Sequence, residues 1–210
     1  MMADFELKSD EEKAEELKAW WKQNGTSVIA GIALTVGGMF AFKQWEQHKL
    51  DQAEGASKVF SQLSQQGSDV NAIYKQLNDE FSSSTYTALA ALKAAKENCS
   101  SGKTDECIAQ LRHATNSSQE SIATVANIRL ARALLSQGKL DEAQQILSKK
   151  LPDSYSSIIT ELEGDIHLAK KEYKKARAAY DKAILSSGGQ NTQLLKLKRD
   201  DLGDHLKSGV

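Results

Sequence analysis

Twenty consecutive residues, Gln23 to Phe42, carry no charge in a chain of which 26% is Asp, Glu, Lys or Arg. As a helix rising ~1.5 Å per residue the segment is roughly 30 Å long, the thickness of a bilayer's hydrocarbon core. All three tryptophans flank it, Trp20 and Trp21 before and Trp45 after. An indole is apolar with one N–H to satisfy, so flanking belts of Trp mark a membrane span better than a buried core helix. Lys22 and Lys43 close the segment and can reach headgroup phosphates. A cleaved leader fits poorly. The 22 residues ahead hold seven acids against four lysines, and bulky Met39, Phe40 and Phe42 stand where a small-residue cleavage site is needed. With no cysteine close behind, lipoprotein processing is excluded as well, and the segment reads as an uncleaved anchor contacting the lipid bilayer.

Within the span, small residues recur every fourth position, as Ser27, Gly31 and Thr35 on one row and Ala33, Gly37 and Ala41 on another. Such rows permit close approach of a second membrane helix. Orientation is only weakly encoded. Lys8, Lys13, Lys18 and Lys22 precede the span and Lys43, Lys49 and Lys58 follow it, a slight bias toward a cytoplasmic N-terminus.

The remainder is helical in composition, with one proline and few β-branched runs. Three windows align around a turn: Lys93 to Leu111, Arg129 to Leu147 and Glu163 to Tyr180. Gly102 and Gly138 occupy the turn, and Lys171 takes that place in the third window. Ala95, Ala131 and Gly164 form one small-residue column, and Cys107, Ala143 and Ala176 form another at intervals of 36 and 33 residues. Leu111, Leu147 and Tyr180 follow one helical turn later, and Ala114 and Ala183 fill a further small position. Small columns let two helix axes approach to ~8 Å, and a turn glycine supplies a left-handed cap. The pattern resembles the tetratricopeptide repeat (TPR), although the Trp and Tyr typical of its first helix are missing.

The expected fold is therefore all-α: a single N-terminal transmembrane helix followed by a TPR-like α-solenoid of antiparallel helix pairs. The boundaries read as a tail over 1–22, the span over 23–42 and the domain over 43–210. Repeat cores are expected at about 86–115, 122–150 and 155–186, with a capping helix at about 190–203 over the exposed end. Gln44 to Gln66 reads as a helix continuing out of the membrane, Val70 to Phe81 as its partner, and Ser82 to Ser84 as a connector.

No catalytic constellation stands out. His48, His113, His167 and His205 are scattered without ligand-spaced partners, and no strand precedes a glycine-rich phosphate loop. The chain reads as a non-enzyme with no cofactor, no metal and no small-molecule substrate. Residues 43–210 hold 23 basic and 21 acidic side chains, which argues against nucleic acid. The interaction surface of such an array is built mostly by first helices, which makes Leu92, Lys96, Arg129, Arg132, Leu135, Asp165 and Leu168 the candidate groove. Leu89, Val125 and Ile158 stand where a clamp for a C-terminal carboxylate needs Lys or Asn, so a mixed apolar and charged groove is expected. Cys99 and Cys107 lie on opposite arms of one helical hairpin. Two readings stay open: a disulfide in an oxidising compartment, or simple packing, since Cys107 stands in a column otherwise filled by alanine.

The layout also resembles the YfgM family of ancillary Sec translocon subunits. The matching residues are Trp20-Trp21 before Asn24-Gly25, Trp45 and His48 after the span, Tyr86-Thr87-Ala88-Leu89-Ala90, and Ile128-Arg129-Leu130-Ala131-Arg132. The two cysteines are not part of that pattern. The resemblance implies an inner-membrane protein with a cytoplasmic tail and a periplasmic TPR-like domain. It also implies the chaperone PpiD and SecYEG as partners, with secreted polypeptides leaving the channel as clients. Two other readings compete, a tethered cytoplasmic scaffold whose repeats self-associate and a direct holdase chaperone.

Overall fold

The computed structural model of the protein describes residues 9–189 and 192–207, with side chains through Gly203. Residues 1–8 of the acidic tail (Lys8 among them), the first two positions of the expected cap and the side chain of His205 lie outside the described residues. The chain divides into two compact units between Asp51 and Gln52.

The first unit is helical. Helix α1, Asp10–Ser61, opens with Asp10, Glu11 and Glu12 in its first turn, where the helix dipole favours negative charge. The Ser9 backbone N–H donates to the Glu12 carboxylate at 3.1 Å, half of a capping box. Between its two tryptophan belts α1 is long and apolar enough to cross a membrane, with a mean hydropathy of 1.7 over its best window. Leu34, Val36, Met39 and Phe40 are each more than 60% exposed, which suits lipid and not water. Trp21 and Trp45 are separated by ~36 Å of helix rise, between the ~30 Å of a hydrocarbon core and the ~40–45 Å that includes headgroups. Trp21 lies over Gly25, where a Cβ would meet its ring at 3.2 Å. Lys49 Nζ sits 3.7 Å from the Trp45 ring centre. Both small-residue rows are exposed. The Thr35 hydroxyl donates to the Gly31 carbonyl at 2.8 Å, so that row's hydroxyl is satisfied inside its own helix, as a dry environment requires.

The second unit begins with the last turns of α1, which end in a 3-10 turn at Gln62–Ser64. Ala56, Val59 and Leu63 pack on Ile73 and Leu77 of α2 (Val70–Phe81) and Ala90 of α3 (Thr85–Ser100). Asp69 caps α2 by accepting from the backbone of Asn71 and Ala72, both at 3.0 Å. The buried Thr87 hydroxyl donates to the Phe81 carbonyl at 2.6 Å, which closes the other end. Three hairpins follow: α3 with α4 (Thr104–Ala114), α5 (Glu120–Ser136) with α6 (Leu140–Leu147), and α7 (Ser156–Ala169) with α8 (Tyr173–Ser186). From α2 onward each helix packs on its sequence neighbours, and the first helices also touch one another, α3 with α5 and α5 with α7. Helix α9, Thr192–Lys207, lies against α8.

The three hairpin turns share one geometry. Gly102 and Gly138 have φ of 78° and 70°, and Lys171 takes φ 59° in the third. In each turn the next N–H reaches back five residues: Lys103 to Asn98, Lys139 to Leu134 and Glu172 to His167, all at 2.9 Å. These are Schellman caps. The third turn keeps the left-handed conformation with a side chain that disfavours it.

The close-contact columns are buried throughout. Ala95 and Ala131 are 1% exposed, and Cys107, Ala143 and Ala176 are fully enclosed. The third hairpin solves the same packing problem differently. Tyr180 replaces the leucine of the other two, and a Cβ at Gly164 would lie 2.5 Å from its ring. Gly164→Ala therefore cannot be accommodated without displacing Tyr180, at a cost of about 1–3 kcal/mol. Urea unfolding of the detergent-solubilised chain reads this loss. Adding Tyr180→Leu, the residue type at that column in the other hairpins, should recover part of it. Stability unchanged within about 0.5 kcal/mol would contradict the packing account.

Candidate functional site: a cationic groove on the first helices

Residues 93–100 of α3 and 129–136 of α5 face each other across a recess of about 460 Å³. Its apolar lining comes from Ala95, Leu111 and Ala133, all less than 10% exposed. Its charged lining comes from Lys96, Arg129 and Arg132, all exposed at the surface. Arg129 and Arg132 stand three residues apart and so share one face of α5. Ser100, Thr104 and Ser136 add hydroxyls, and Ser100 is already turned back on the Lys96 carbonyl at 2.8 Å.

Among the described residues none of these three cations has a carboxylate within ion-pair distance, whereas several other cations of this unit do. Arg112 pairs with Glu142, Lys170 with Asp141 at 2.8 Å, and Lys175 with Glu172 at 3.1 Å. Arg199 meets Asp181 and Asp200.

The seven residues expected to line a groove separate into three groups. Lys96, Arg129 and Arg132 meet in the recess. Leu92 and Leu135 turn into the main hydrophobic core, Leu92 buried and Leu135 partly so. Asp165 and Leu168 lie beneath the terminal helix. Leu168 packs with Ala176, Tyr180, Leu195 and Leu202. Asp165 accepts from the Tyr180 hydroxyl at 2.8 Å and from Lys198 Nζ at 2.8 and 2.9 Å. Lys198 also reaches Glu161 at 2.7 Å. Burial, reinforced by the bond to Asp165, pushes the Tyr180 hydroxyl far above its ordinary pKa. At Lys198 burial works against the charge, but the bonds to Asp165 and Glu161 outweigh it and raise the pKa. Sequence offered no local signal for this cluster, because Lys198 lies 33 and 37 residues from its two acids.

Cys99 borders the recess and is bonded to Cys107, with the two Cα atoms 5.3 Å apart. Cys107 is at the same time a packing residue of the second-helix column, fully buried. The bridge ties the end of α3 to the start of α4 across the Gly102 turn. In the chain-entropy picture a loop this short contributes about 2.5 kcal/mol. Behind the hairpin the side-chain amides of Asn71, Asn98 and Gln110 bond mutually at 2.8–3.1 Å and lock α2 to it. Among the described residues no group of three His, Cys, Asp or Glu side chains could hold a metal ion. His113 meets the Tyr74 hydroxyl at 3.2 Å, and His167 meets Glu172 at 2.6 Å.

The model of the tetratricopeptide repeat-like domain matches residues 18–204. The chain belongs to the tetratricopeptide repeat-like family. It is also similar to proteins named ancillary SecYEG translocon subunit. The Haemophilus influenzae protein is 29% identical over 198 residues, covering 92% of this chain and 97% of the relative. The Escherichia coli protein is 25% identical over 182 residues, 85% and 88% of the two chains. The Aggregatibacter actinomycetemcomitans protein is 26% identical over 200 residues, 92% and 97%. No solved structure matches the chain.

The bridge has a direct chemical consequence. A thiol probe added to the denatured, unreduced protein should label neither cysteine, and after reduction it should label both. Two reactive thiols before reduction would rule the bridge out.

Proposed function

We propose that the chain is an ancillary subunit of the SecYEG translocon, held in the bacterial inner membrane by α1, whose repeats bind partner proteins without catalysing a reaction. The observation that carries this reading is the near full-length similarity to proteins of that name, which takes in the span as well as the repeats. The apolar helix between two tryptophan belts supplies the membrane attachment.

In this reading residues 1–22 face the cytoplasm, 23–42 cross the bilayer and 43–210 form the periplasmic domain. The Cys99–Cys107 bond supports that orientation, because disulfides persist in the periplasm and are rare in the cytosol. The small Lys excess before the span points the same way. The periplasmic repeats hold the membrane-anchored chaperone PpiD close to the channel exit, where it assists the release and folding of secreted chains. The exposed rows Ser27, Gly31, Thr35 and Ala33, Gly37, Ala41 give the span a surface for neighbouring membrane helices.

Affinity purification of the full chain from detergent-solubilised membranes tests the proposal. SecYEG and PpiD are expected in the eluate in amounts that exceed an unrelated single-span control. Recovery of neither would overturn the reading, and recovery of SecYEG alone would remove PpiD from it.

A further inference from the structure

The recess between α3 and α5 joins features that packing does not explain. Arg129 and Arg132, three residues apart on α5, repel each other on the helix surface, and Lys96 faces them from α3. No described carboxylate lies within ion-pair distance of any of them, although acids and bases are nearly balanced across residues 43–210. Between the charges lies an apolar lining of Ala95, Leu111 and Ala133. The Cys99–Cys107 bond fixes the end of α3 at the rim, so the wall that carries Lys96 is held in place without a ligand.

We propose that this recess receives an acidic segment of a partner protein, with Asp or Glu carboxylates on Lys96, Arg129 and Arg132 and an apolar side chain on the Ala95–Leu111–Ala133 floor. Guanidinium groups bind carboxylates through paired, charge-assisted hydrogen bonds. A volume of about 460 Å³ falls in the range of sites that enclose a few side chains. The geometry disfavours two other anions. A bilayer surface is flat and cannot bring headgroups onto a recessed apolar floor. Nucleic acid would need a longer cationic track and aromatic stacking platforms, and none of the lining residues is aromatic. The proposal rests on the reading of the repeats as a binding module and adds the chemistry of what is bound.

The test uses the full chain in nanodiscs of neutral lipid and a short fluorescent peptide with Glu residues flanking one Leu. A second peptide carries Gln at each Glu position. Anisotropy titrations are expected to show binding of the Glu peptide that weakens with added salt. Binding should fall about tenfold or more in the Arg129→Gln/Arg132→Gln double variant, and the Gln peptide should bind wild type no better than the variant. Both arginines are exposed, and an unchanged circular dichroism spectrum checks the fold. Were the variant misfolded, the comparison of the two peptides on wild type would still decide. Equal binding of both peptides, or equal binding by wild type and variant, overturns the proposal. So does recruitment of phosphatidylglycerol vesicles that the double variant abolishes, because lipid is then the occupant. If peptide binding fails while SecYEG is still recovered from membranes, only the groove's chemistry is wrong. If wild type fails to recover SecYEG, the underlying reading fails instead.

Discussion

The closeness with which paired helices cross governs this architecture. A hairpin of short helices such as α5 and α6 has too little length to be stable alone, and its stability comes from the face it buries. Ala131 and Ala143, both buried in one core, leave room for the two backbones to approach closely. Where a large residue stands in a column, its partner must shrink, and Gly164 beneath Tyr180 is that case. The hydroxyl that Tyr180 brings into the interior then needs a partner, and Asp165 provides it. Asp165 in turn needs a cation, and Lys198 arrives from the terminal helix. One steric exchange thus leads to the polar link that fastens α9. Breaking that link by removing a single member leaves a largely buried charge unpaired, which costs more than the intact cluster contributes.

The same packing determines which surface stays open. First helices line one side of the array. In the third hairpin that side is covered, since Leu168 and Asp165 lie beneath α9. Between the first and second hairpins nothing described covers it, and there Lys96, Arg129 and Arg132 surround an apolar floor. An array that closes one end and leaves a charged recess near the other is suited to holding something.

Much of this was legible in the sequence because TPR-like packing is written in side-chain volume. Alanine, cysteine or glycine at fixed offsets identified each crossing, and Gly102 and Gly138 identified the turns. Lys171 departs from the turn pattern, yet the chain keeps the left-handed conformation there, because the neighbouring helices determine the turn more strongly than one residue's preference. Groove membership was less legible. Leu92 and Leu135 sit beside the contact columns in sequence, but a small change of rotation about the helix axis turns a groove position into a core position. Asp165 was drawn away by a lysine more than thirty residues distant, an interaction with no local signature. For Cys107 the two readings proved compatible. The side chain fills an alanine column and also carries the bond to Cys99.

These properties matter for function only if the repeats stand on the export side of the membrane, with α1 as their tether. Protease added to intact spheroplasts tests this most directly. The account predicts that residues beyond the span are digested, leaving a protected fragment that ends shortly after Trp45. Full protection of the repeats until the spheroplasts are lysed would place them in the cytoplasm and contradict the account.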